Sequence, residues 1–286
     1  MSNLPRRKTL ITGAAGGMGR ACARLFGATD DLVLTDVSED ALTTLAEDLR
    51  SEGIAVAAHA GDLADAQVID ALVGEISGDA RFSLVHTAGL SPSLASWDAI
   101  VQVNLVATER LLRALEPVLV PGCVLVLIAS SAGHMMPPNP QIDGLLADPL
   151  AEGFMENLEQ TIRAMGGEAS PGGMGGIAYT LSKRAIHTMT QARAIEWGPR
   201  GVRVVSISPG MILTGMGKSE IAKTAGASAL LDATPVGRGG MAMDIALAAR
   251  FLCSDQASFI SGTDLLVDGG GTAGMKAKMA SVGGAT

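Results

Sequence analysis

The sequence predicts an α/β fold, a single doubly wound domain built on a parallel sheet of about seven strands. Short strand-like segments alternate with segments whose apolar residues recur at helical spacing, which is the rhythm of βαβ units. The strand-like segments are continuous apolar runs, as is typical of a parallel sheet covered by helices on both faces. The chain of 286 residues shows no internal repeat and no low-complexity linker. We therefore treat residues 1–286 as one domain.

The seven strands can be placed approximately from the apolar runs. We predict them at residues 8–11, 32–34, 54–58, 82–85, 123–129, 202–207 and 264–267. Residues 135–176 interrupt the rhythm with clusters of proline and glycine around a helix predicted to begin at Asp148 and Pro149. This insertion is expected either to pack on the domain or a second subunit, or to form a substrate lid. Residues 271–286 are interpreted as a disordered tail or a subunit contact.

Composition excludes several classes of function. The formal net charge is −8, and there is no basic cluster beyond residues 6–8, so nucleic acid and anionic membranes are not expected partners. The most apolar run, residues 123–129, is far shorter than the roughly 18 to 20 residues that cross a bilayer. The three cysteines are widely spaced and fit neither a disulfide framework nor a zinc site. We expect a cytoplasmic protein without a metal.

A glycine-rich turn, TGAAGGMG at residues 12–19, separates the first strand from the first helix. Glycines let the backbone approach a pyrophosphate, and the helix N-terminus offers free N–H groups and a positive dipole end. Gly13, Gly17, Met18 and Gly19 are therefore predicted to bind the phosphates of a dinucleotide. The spacing is G-x-x-x-G-x-G rather than the more familiar G-x-G-x-x-G.

An acidic residue after the second strand indicates which dinucleotide is bound. Asp36 can accept hydrogen bonds from the adenosine ribose and would repel a 2′-phosphate, so NAD is favoured over NADP. Val37 follows it, where an arginine or lysine would favour NADP. The alternative is that Asp36 only caps a turn. Asp62 and Leu63 follow the third strand and are predicted to meet the adenine.

Tyr179 and Lys183 stand four residues apart, and therefore lie on one face of a predicted helix that ends before Gly198 and Pro199. A neighbouring ammonium favours the phenolate and lowers the pKa of a tyrosine. Such a pair can act as a general base toward an alcohol or as an acid toward a ketone. A lone Y-x-x-x-K is common, but here it follows the glycine turn and an apolar strand that ends in Ser130 and Ser131.

Taken in order, these motifs resemble those of the short-chain dehydrogenase/reductase family. The resemblance runs from Thr9 to Gly270 and implies a Rossmann domain. It also includes Ala88-Gly89 after the fourth strand, Asn104, Ser208-Pro209-Gly210 with Ile212 and Thr214, and Asp268-Gly269-Gly270. One departure is Thr87, which stands where the family usually has asparagine.

The resemblance implies roles for the site residues. Tyr179 would be the acid/base, Lys183 would lower its pKa and bind the nicotinamide ribose, and Asn104 would hold a water that links Lys183 to solvent. Ser130 would bind the substrate oxygen; it is chosen over Ser131 because it stands three residues before Gly133. The implied NAD contacts are Gly13, Gly17, Met18, Gly19, Asp36, Asp62, Leu63, Ala88, Gly89, Tyr179, Lys183, Pro209, Gly210, Ile212 and Thr214.

A looser resemblance links the chain to bacterial 3α-hydroxysteroid dehydrogenase/carbonyl reductases, through the short segment 89–104 and the long insertion. It implies a secondary alcohol on an apolar cyclic or steroid-like substrate, lined by Leu90, Met135, Met136, Met211 and Met216. The alternatives are small ketones, quinones or diols, and a catalytically silent NAD-binding scaffold, which would be expected to lack Tyr, Lys or Ser at the site. The family resemblance further implies a homodimer or homotetramer.

Overall fold

The computed structural model describes residues 6–78, 80–170 and 172–283. Seven parallel strands form one sheet in the order β3-β2-β1-β4-β5-β6-β7, which confirms the predicted doubly wound fold. β2 and β3 are added on one side of β1, and β4 begins the series on its other side. The strand order therefore reverses between β1 and β4, while all strands stay parallel. The strands are β1 Lys8–Thr12, β2 Asp31–Asp36, β3 Val56–Ala60, β4 Phe82–His86, β5 Val124–Ile128, β6 Arg203–Pro209 and β7 Asp264–Val267.

Twelve α-helices connect and cover these strands within the described residues. They are α1 Gly17–Gly27, α2 Glu39–Ser51, α3 Ala66–Ile76, α4 Trp97–Val101, α5 Ala107–Leu115, α6 Pro140–Leu146, α7 Phe154–Ala164, α8 Gly173–Trp197, α9 Gly215–Lys223, α10 Ala225–Asp232, α11 Ala242–Cys253 and α12 Gly271–Gly283. A π-helical segment, Gln102–Val106, joins α4 to α5. A 3₁₀ turn, Ser131–Met135, follows β5.

Neighbouring residues of each strand enter two different hydrophobic cores. Leu10 belongs to a core with buried residues of α5, α7 and α8, whereas Ile11 belongs to a core with residues of α1, α2 and α11. Successive strand side chains point to opposite faces, so a sheet covered on both sides needs apolar residues at every position. This explains the continuous apolar runs of the sequence.

Parallel pairing brings the carboxyl ends of the strands to one edge of the sheet. Thr12 at the end of β1 is in register with Thr35 of β2 and with His86 of β4. The glycine turn, Asp36 and the segment after β4 therefore begin side by side. This edge is where open α/β sheets bind their ligands.

The insertion differs in detail from its prediction. Its main helix, α7, begins at Phe154 and not at Pro149, because Gly153 adopts a left-handed conformation (φ 73°) just before it. Asp148 instead forms an ion pair with Arg113, 2.9 Å apart. An additional helix, α6, precedes α7, and on α7 the apolar residues Phe154, Leu158 and Ile162 are buried. α7 thus packs into the core, and a lid role for the insertion stays a prediction.

The C-terminal segment is helical as far as Gly283, so it is not the disordered tail that was weighed above. Helix α12 lies against α10 and against the 3₁₀ turn after β5. Residues 284–286 lie outside the described residues. No helix among residues 6–78, 80–170 and 172–283 has the length and apolarity that a bilayer crossing requires.

Candidate active site

The turn between β1 and α1 is tightly packed around its glycines. Gly13 has φ 62°, and a Cβ there would lie 2.7 Å from the backbone nitrogen of Ala88. Gly19 faces the carbonyl of Gly13 with no room for a side chain. A Cβ on Gly17 would come within 2.5 Å of the Thr214 methyl. The predicted phosphate turn therefore touches the segments that follow β4 and β6.

Asp36 is positioned by this same turn. The backbone N–H of Ala15 donates to its Oδ2 at 2.9 Å, and the N–H of Ser38 donates to its Oδ1 at 3.0 Å. The second bond is the turn cap that was weighed as an alternative, and the first ties the carboxylate to the rim of the glycine turn. One strand further out, Asp62 is exposed and Leu63 is buried, both just after β3.

The end of β6 forms the opposite wall. A Cβ on Gly210, directly after Pro209, would lie 2.6 Å from the Asp268 Cβ, so only glycine fits where these two loops meet. Ile212 pairs with Gly240 through an isolated β-bridge. The Thr214 hydroxyl accepts a bond from the N–H of Gly217 at 3.3 Å and caps α9.

Thr87 ties the segment after β4 to the glycine turn. Its hydroxyl donates to the carbonyl of Thr12 at 2.6 Å. Two residues on, a Cβ at Gly89 would lie 3.2 Å from Asn104 Oδ1 and 3.5 Å from Lys183 Nζ. At the position where the family usually has asparagine, this chain therefore uses a hydroxyl to hold the loop.

Helix α8 carries Tyr179 and Lys183 one turn apart, with Lys183 Nζ 5.8 Å from the centre of the Tyr179 ring. The Ser130 hydroxyl, just past β5, lies close enough to the Tyr179 side chain to lower its pKa. Ser131 is buried and begins the 3₁₀ turn. A Cβ on Gly133 would lie 3.0 Å from the Lys183 carbonyl, so this turn packs directly on α8. The geometry thus brings Ser130, Tyr179 and Lys183 together.

The ionisation of this pair differs from the sequence prediction. Burial raises the pKa of Tyr179; the nearby Ser130 hydroxyl opposes this rise, and the negative charge of Glu220 reinforces it. Burial also lowers the pKa of Lys183 to about 8, and its Nζ donates to the carbonyl of Ile128 at 2.9 Å. The net direction for the Tyr179 pKa is thus opposite to the expected lowering, because the cost of desolvating the phenolate outweighs the other influences. A lowering contribution from Lys183 to the Tyr179 pKa stays a prediction.

Asn104 lies in the π-helical segment, a rare feature that is frequent at functional sites. Its Oδ1 accepts from the N–H of Leu90 at 2.7 Å, and its Nδ2 donates to the Leu90 carbonyl at 2.9 Å. The same Nδ2 reaches the Ser182 hydroxyl at 3.3 Å on α8. Asn104 therefore joins the loop after β4 to helix α8, and its water-binding role stays a prediction.

His86 is a site residue that the sequence analysis missed. It is buried, its Nδ1 lies 2.8 Å from the Thr12 hydroxyl, and its Nε2 lies 2.8 Å from the Thr108 hydroxyl. Thr108 in turn donates to the carbonyl of Asn104 at 3.0 Å. Burial, followed by the charge of Lys183, lowers the pKa of His86 to about 3 and keeps it neutral. The sequence signal that could have indicated this role is that His86 is a polar residue at the end of an otherwise apolar strand.

Glu220 was also missed, because it lies 127 residues from its partner. The N–H of Ser93 donates to its Oε1 at 2.9 Å, and Lys223 Nζ donates to the Ser93 carbonyl at 3.0 Å. These bonds fasten α9 to the loop after β4. They hold a carboxylate close enough to Tyr179 to affect its pKa.

Comparison with known proteins identifies the family. A short chain dehydrogenase model matches residues 7–141, and an enoyl-(acyl carrier protein) reductase model matches residues 161–272. A galactitol 2-dehydrogenase (L-tagatose-forming) of Cereibacter sphaeroides is 32% identical over 272 residues, covering 92% of this chain and 93% of the relative. The chain belongs to the short-chain dehydrogenase/reductase family.

Other members of this family support the fold and differ in the substrates that their names state. A 3beta-hydroxysteroid dehydrogenase 1 of Eggerthella lenta is 29% identical, over 94% of this chain and 95% of its own. A crystal structure of an SDR:Glucose/ribitol dehydrogenase from Brucella melitensis gives a TM-score of 0.71 at 28% identity, covering 94% and 97%. An uncharacterized short-chain type dehydrogenase/reductase of Sinorhizobium fredii is 29% identical but longer, and the chain spans 44% of its length.

A short-chain dehydrogenase/reductase is an oxidoreductase whose Rossmann domain binds a nicotinamide dinucleotide. The residues of the cleft fit such a group. The N-cap residue of α1 is Gly16, which has no side chain to cap the helix, so the N–H groups there can receive a pyrophosphate. Gly16 and Gly17 are both exposed. Met18 lies half-buried in the first turn of α1.

Proposed function

We propose that this short-chain dehydrogenase/reductase uses NAD to interconvert a secondary alcohol and a ketone. The observation that carries the choice of NAD is Asp36, whose carboxylate is held against the glycine turn by the N–H of Ala15. A carboxylate at this point binds ribose hydroxyls and repels a 2′-phosphate. Val37 is 75% exposed beside it and offers no compensating positive charge.

The chemistry rests on residues that the structure groups together. When bound, NAD supplies the hydride acceptor. Tyr179 removes the hydroxyl proton of the alcohol, or returns it to the ketone, and Ser130 holds the substrate oxygen beside the phenol. Lys183, close to Tyr179 and to Gly89, favours the phenolate and binds the nicotinamide ribose. Asn104 positions the loop after β4 against this group.

For the substrate, we propose an apolar cyclic or steroid-like alcohol. Its binding surface would come from residues on the segments that border Tyr179: the loop after β4, the turn after β5, and α9 with the loop before it. These residues are Leu90, Met135, Met136, Met211 and Met216. Met135 is 38% exposed, and the other four side chains are half-buried. Flexible thioethers adapt to bulky rings.

A small diol or polyol is a second candidate substrate, and Glu220 is the observation that favours it. A carboxylate near Tyr179 can accept hydrogen bonds from extra hydroxyl groups, whereas it is poorly matched to a purely apolar ring. The galactitol dehydrogenase relative is named for a polyol, and the Eggerthella lenta relative for a steroid.

The test is a turnover screen that follows NADH absorbance with two matched panels. Steroid and other ring alcohols form one arm, polyols and small diols form the other, and each is run with NAD and with NADP. Glu220→Gln is assayed in parallel. Turnover on ring alcohols that is unchanged in this variant supports the first substrate class; turnover on polyols that falls in the variant supports the second. Tight NAD binding without turnover on either panel would contradict the proposal and favour the silent scaffold.

A further inference from the structure

Three side chains of a kind that binds metals converge beside the catalytic pair. His134 lies in the 3₁₀ turn after β5, His187 lies one turn beyond Lys183 on α8, and Asp264 begins β7. Their ligand atoms all lie within 4.8 Å of one another. No local sequence pattern indicates this cluster, because 130 residues separate His134 from Asp264.

Asp264 is a largely buried carboxylate without a lysine or arginine partner in the described part of the chain. Its side chain is 11% exposed. Its Oδ2 lies 2.7 Å from His134 Nε2, and its Oδ1 lies 3.5 Å from His187 Nε2. A buried carboxylate is costly unless a positive charge or strong hydrogen bonds compensate it. A divalent cation between the two rings would supply that charge.

The distances suit a small tetrahedral ion. Zinc binds histidine nitrogen and carboxylate oxygen at about 2.0 to 2.2 Å, so neighbouring ligand atoms lie about 3.3 Å apart. Asp264 meets the two rings through different oxygens, Oδ2 at 2.7 Å from His134 and Oδ1 at 3.5 Å from His187. Because the three ligand atoms already lie within 4.8 Å of one another, a small rearrangement of these side chains would bring one oxygen and both nitrogens to the spacing of a bound ion. The His134 and His187 rings are tilted by 47° with centres 4.5 Å apart, so they do not stack.

A supporting hydrogen bond is also in place. The Ser206 hydroxyl donates to Asp264 Oδ1 at 2.6 Å, which leaves Oδ2 directed at His134. Such bonds from outside the ligand set orient carboxylate ligands in metal sites. His134 is 31% exposed and provides a route from solvent. The Ser208 hydroxyl now lies 2.8 Å from His187 Nε2, and binding of the ion to that nitrogen would replace this hydrogen bond.

We propose that His134, His187 and Asp264 form a three-ligand site for a zinc-like divalent cation, with a fourth position open to water. The two nitrogens and one oxygen favour late first-row ions over magnesium or calcium. The ion would join β7, α8 and the turn that follows Ser130. A Cβ on Gly133 would lie 2.8 Å from His187 Cε1, so this turn already packs on the site. The cation therefore stabilises the Ser130 turn without contacting substrate.

The probe is Co²⁺, which reports tetrahedral coordination through its visible absorption. Untagged, full-length protein is treated with EDTA, dialysed and titrated with Co²⁺, and then Zn²⁺ is added in competition. We expect one Co²⁺ per chain, a tetrahedral spectrum that Zn²⁺ abolishes, and a rise in Tm with either ion. A featureless titration without a Tm change would overturn the proposal, and the NAD-dependent function would stand unaffected.

Variants assign the binding to these residues. His134→Ala and Asp264→Asn should each weaken Co²⁺ binding by at least 100-fold, and Ser206→Ala by about 10- to 100-fold. His59→Ala is the matched control, because His59 also faces a carboxylate, Glu75 at 3.2 Å, but forms no three-ligand cluster among the described residues. Circular dichroism and NAD affinity in EDTA show that each variant is folded. Binding that survives in His134→Ala, or that is lost in His59→Ala, would place the cation elsewhere and refute the site.

Discussion

At the residue scale, the buried ammonium of Lys183 lowers the stability of the folded protein. Its ammonium is buried, and its pKa is lowered from 10.5 to about 8 by desolvation. In an unfolded chain the same group keeps its ordinary pKa. The folded protein therefore holds this proton less tightly than the unfolded chain, and the site is destabilising wherever the lysine must be charged.

This predicts that Lys183→Met is more stable than the parent at pH 7 while losing turnover. The difference between pKa 10.5 and about 8 corresponds to about 3 kcal/mol, and the lost bond to the Ile128 carbonyl offsets part of it. The sign follows from linkage: between pH 8 and 10.5 the unfolded state binds more protons, so the parent gains stability as pH rises. Urea unfolding at pH 7 and at pH 9.5 should show the advantage of the variant shrinking. An advantage independent of pH would contradict this explanation.

Asp36 carries the second prediction at this scale. Asp36→Ala should reduce the preference for NAD over NADP in kcat/KM by about 10- to 100-fold, because charge-assisted hydrogen bonds are worth roughly 1.5 to 3 kcal/mol. Asp40→Ala is the control, since Asp40 is an exposed acid in the first turn of α2. If both variants keep the parent ratio, the selectivity of the cofactor site has another origin.

At the scale of elements, the β1–α1 turn depends on backbone shape as much as on chemistry. Gly13→Ala should lose at least tenfold in NAD affinity, because it adds a side chain to a left-handed residue and pushes against Ala88. Gly53→Ala is the matched control: its φ is 83° but no atom lies within 4 Å of the added Cβ. That variant should cost about 1 kcal/mol of stability and keep NAD affinity. Isothermal titration with NAD separates the two; equal affinities would contradict the close packing at Gly13.

The sequence predicts elements well where local pattern decides them. Strand β7 matches its prediction, and α8 ends at Trp197, just before Gly198 as expected. The prediction fails where distant contacts decide. Helix α6 is held against α8 by an ion pair between Arg184 and Asp143, 2.8 Å apart. No local sequence pattern predicts that ion pair.

The same distinction applies to the candidate site. Ser130, Tyr179 and Lys183 meet as expected, because strand ends and helical spacing are readable from the sequence. The hydrogen bond between Ser93 and Glu220 and the hydrogen bonds of His86 could not be predicted from the sequence, because each joins elements that lie far apart in the chain. The direction of the Tyr179 pKa was missed for a related reason: burial is a property of the folded structure.

At the scale of the whole molecule, one sheet edge gathers the glycine turn, Asp36, Ser130 and the loop after β6. Two hydrophobic cores, one on each face, hold the strand ends in register. Tyr179 reaches this edge from α8, which packs in the core that it shares with α5 and α7. The fold thus accounts for how residues from distant parts of the chain come to lie along one edge of the sheet.

The central claim is that Tyr179 transfers the substrate proton in this assembled site. The most direct measurement compares the parent with Tyr179→Phe, using NAD titration and then turnover on the best alcohol from the screen. We expect unchanged NAD affinity and a loss of about 10² to 10⁴ in kcat, the usual contribution of a general acid/base. Turnover equal to the parent would contradict it, since phenylalanine keeps the shape of the ring and removes only the hydroxyl group.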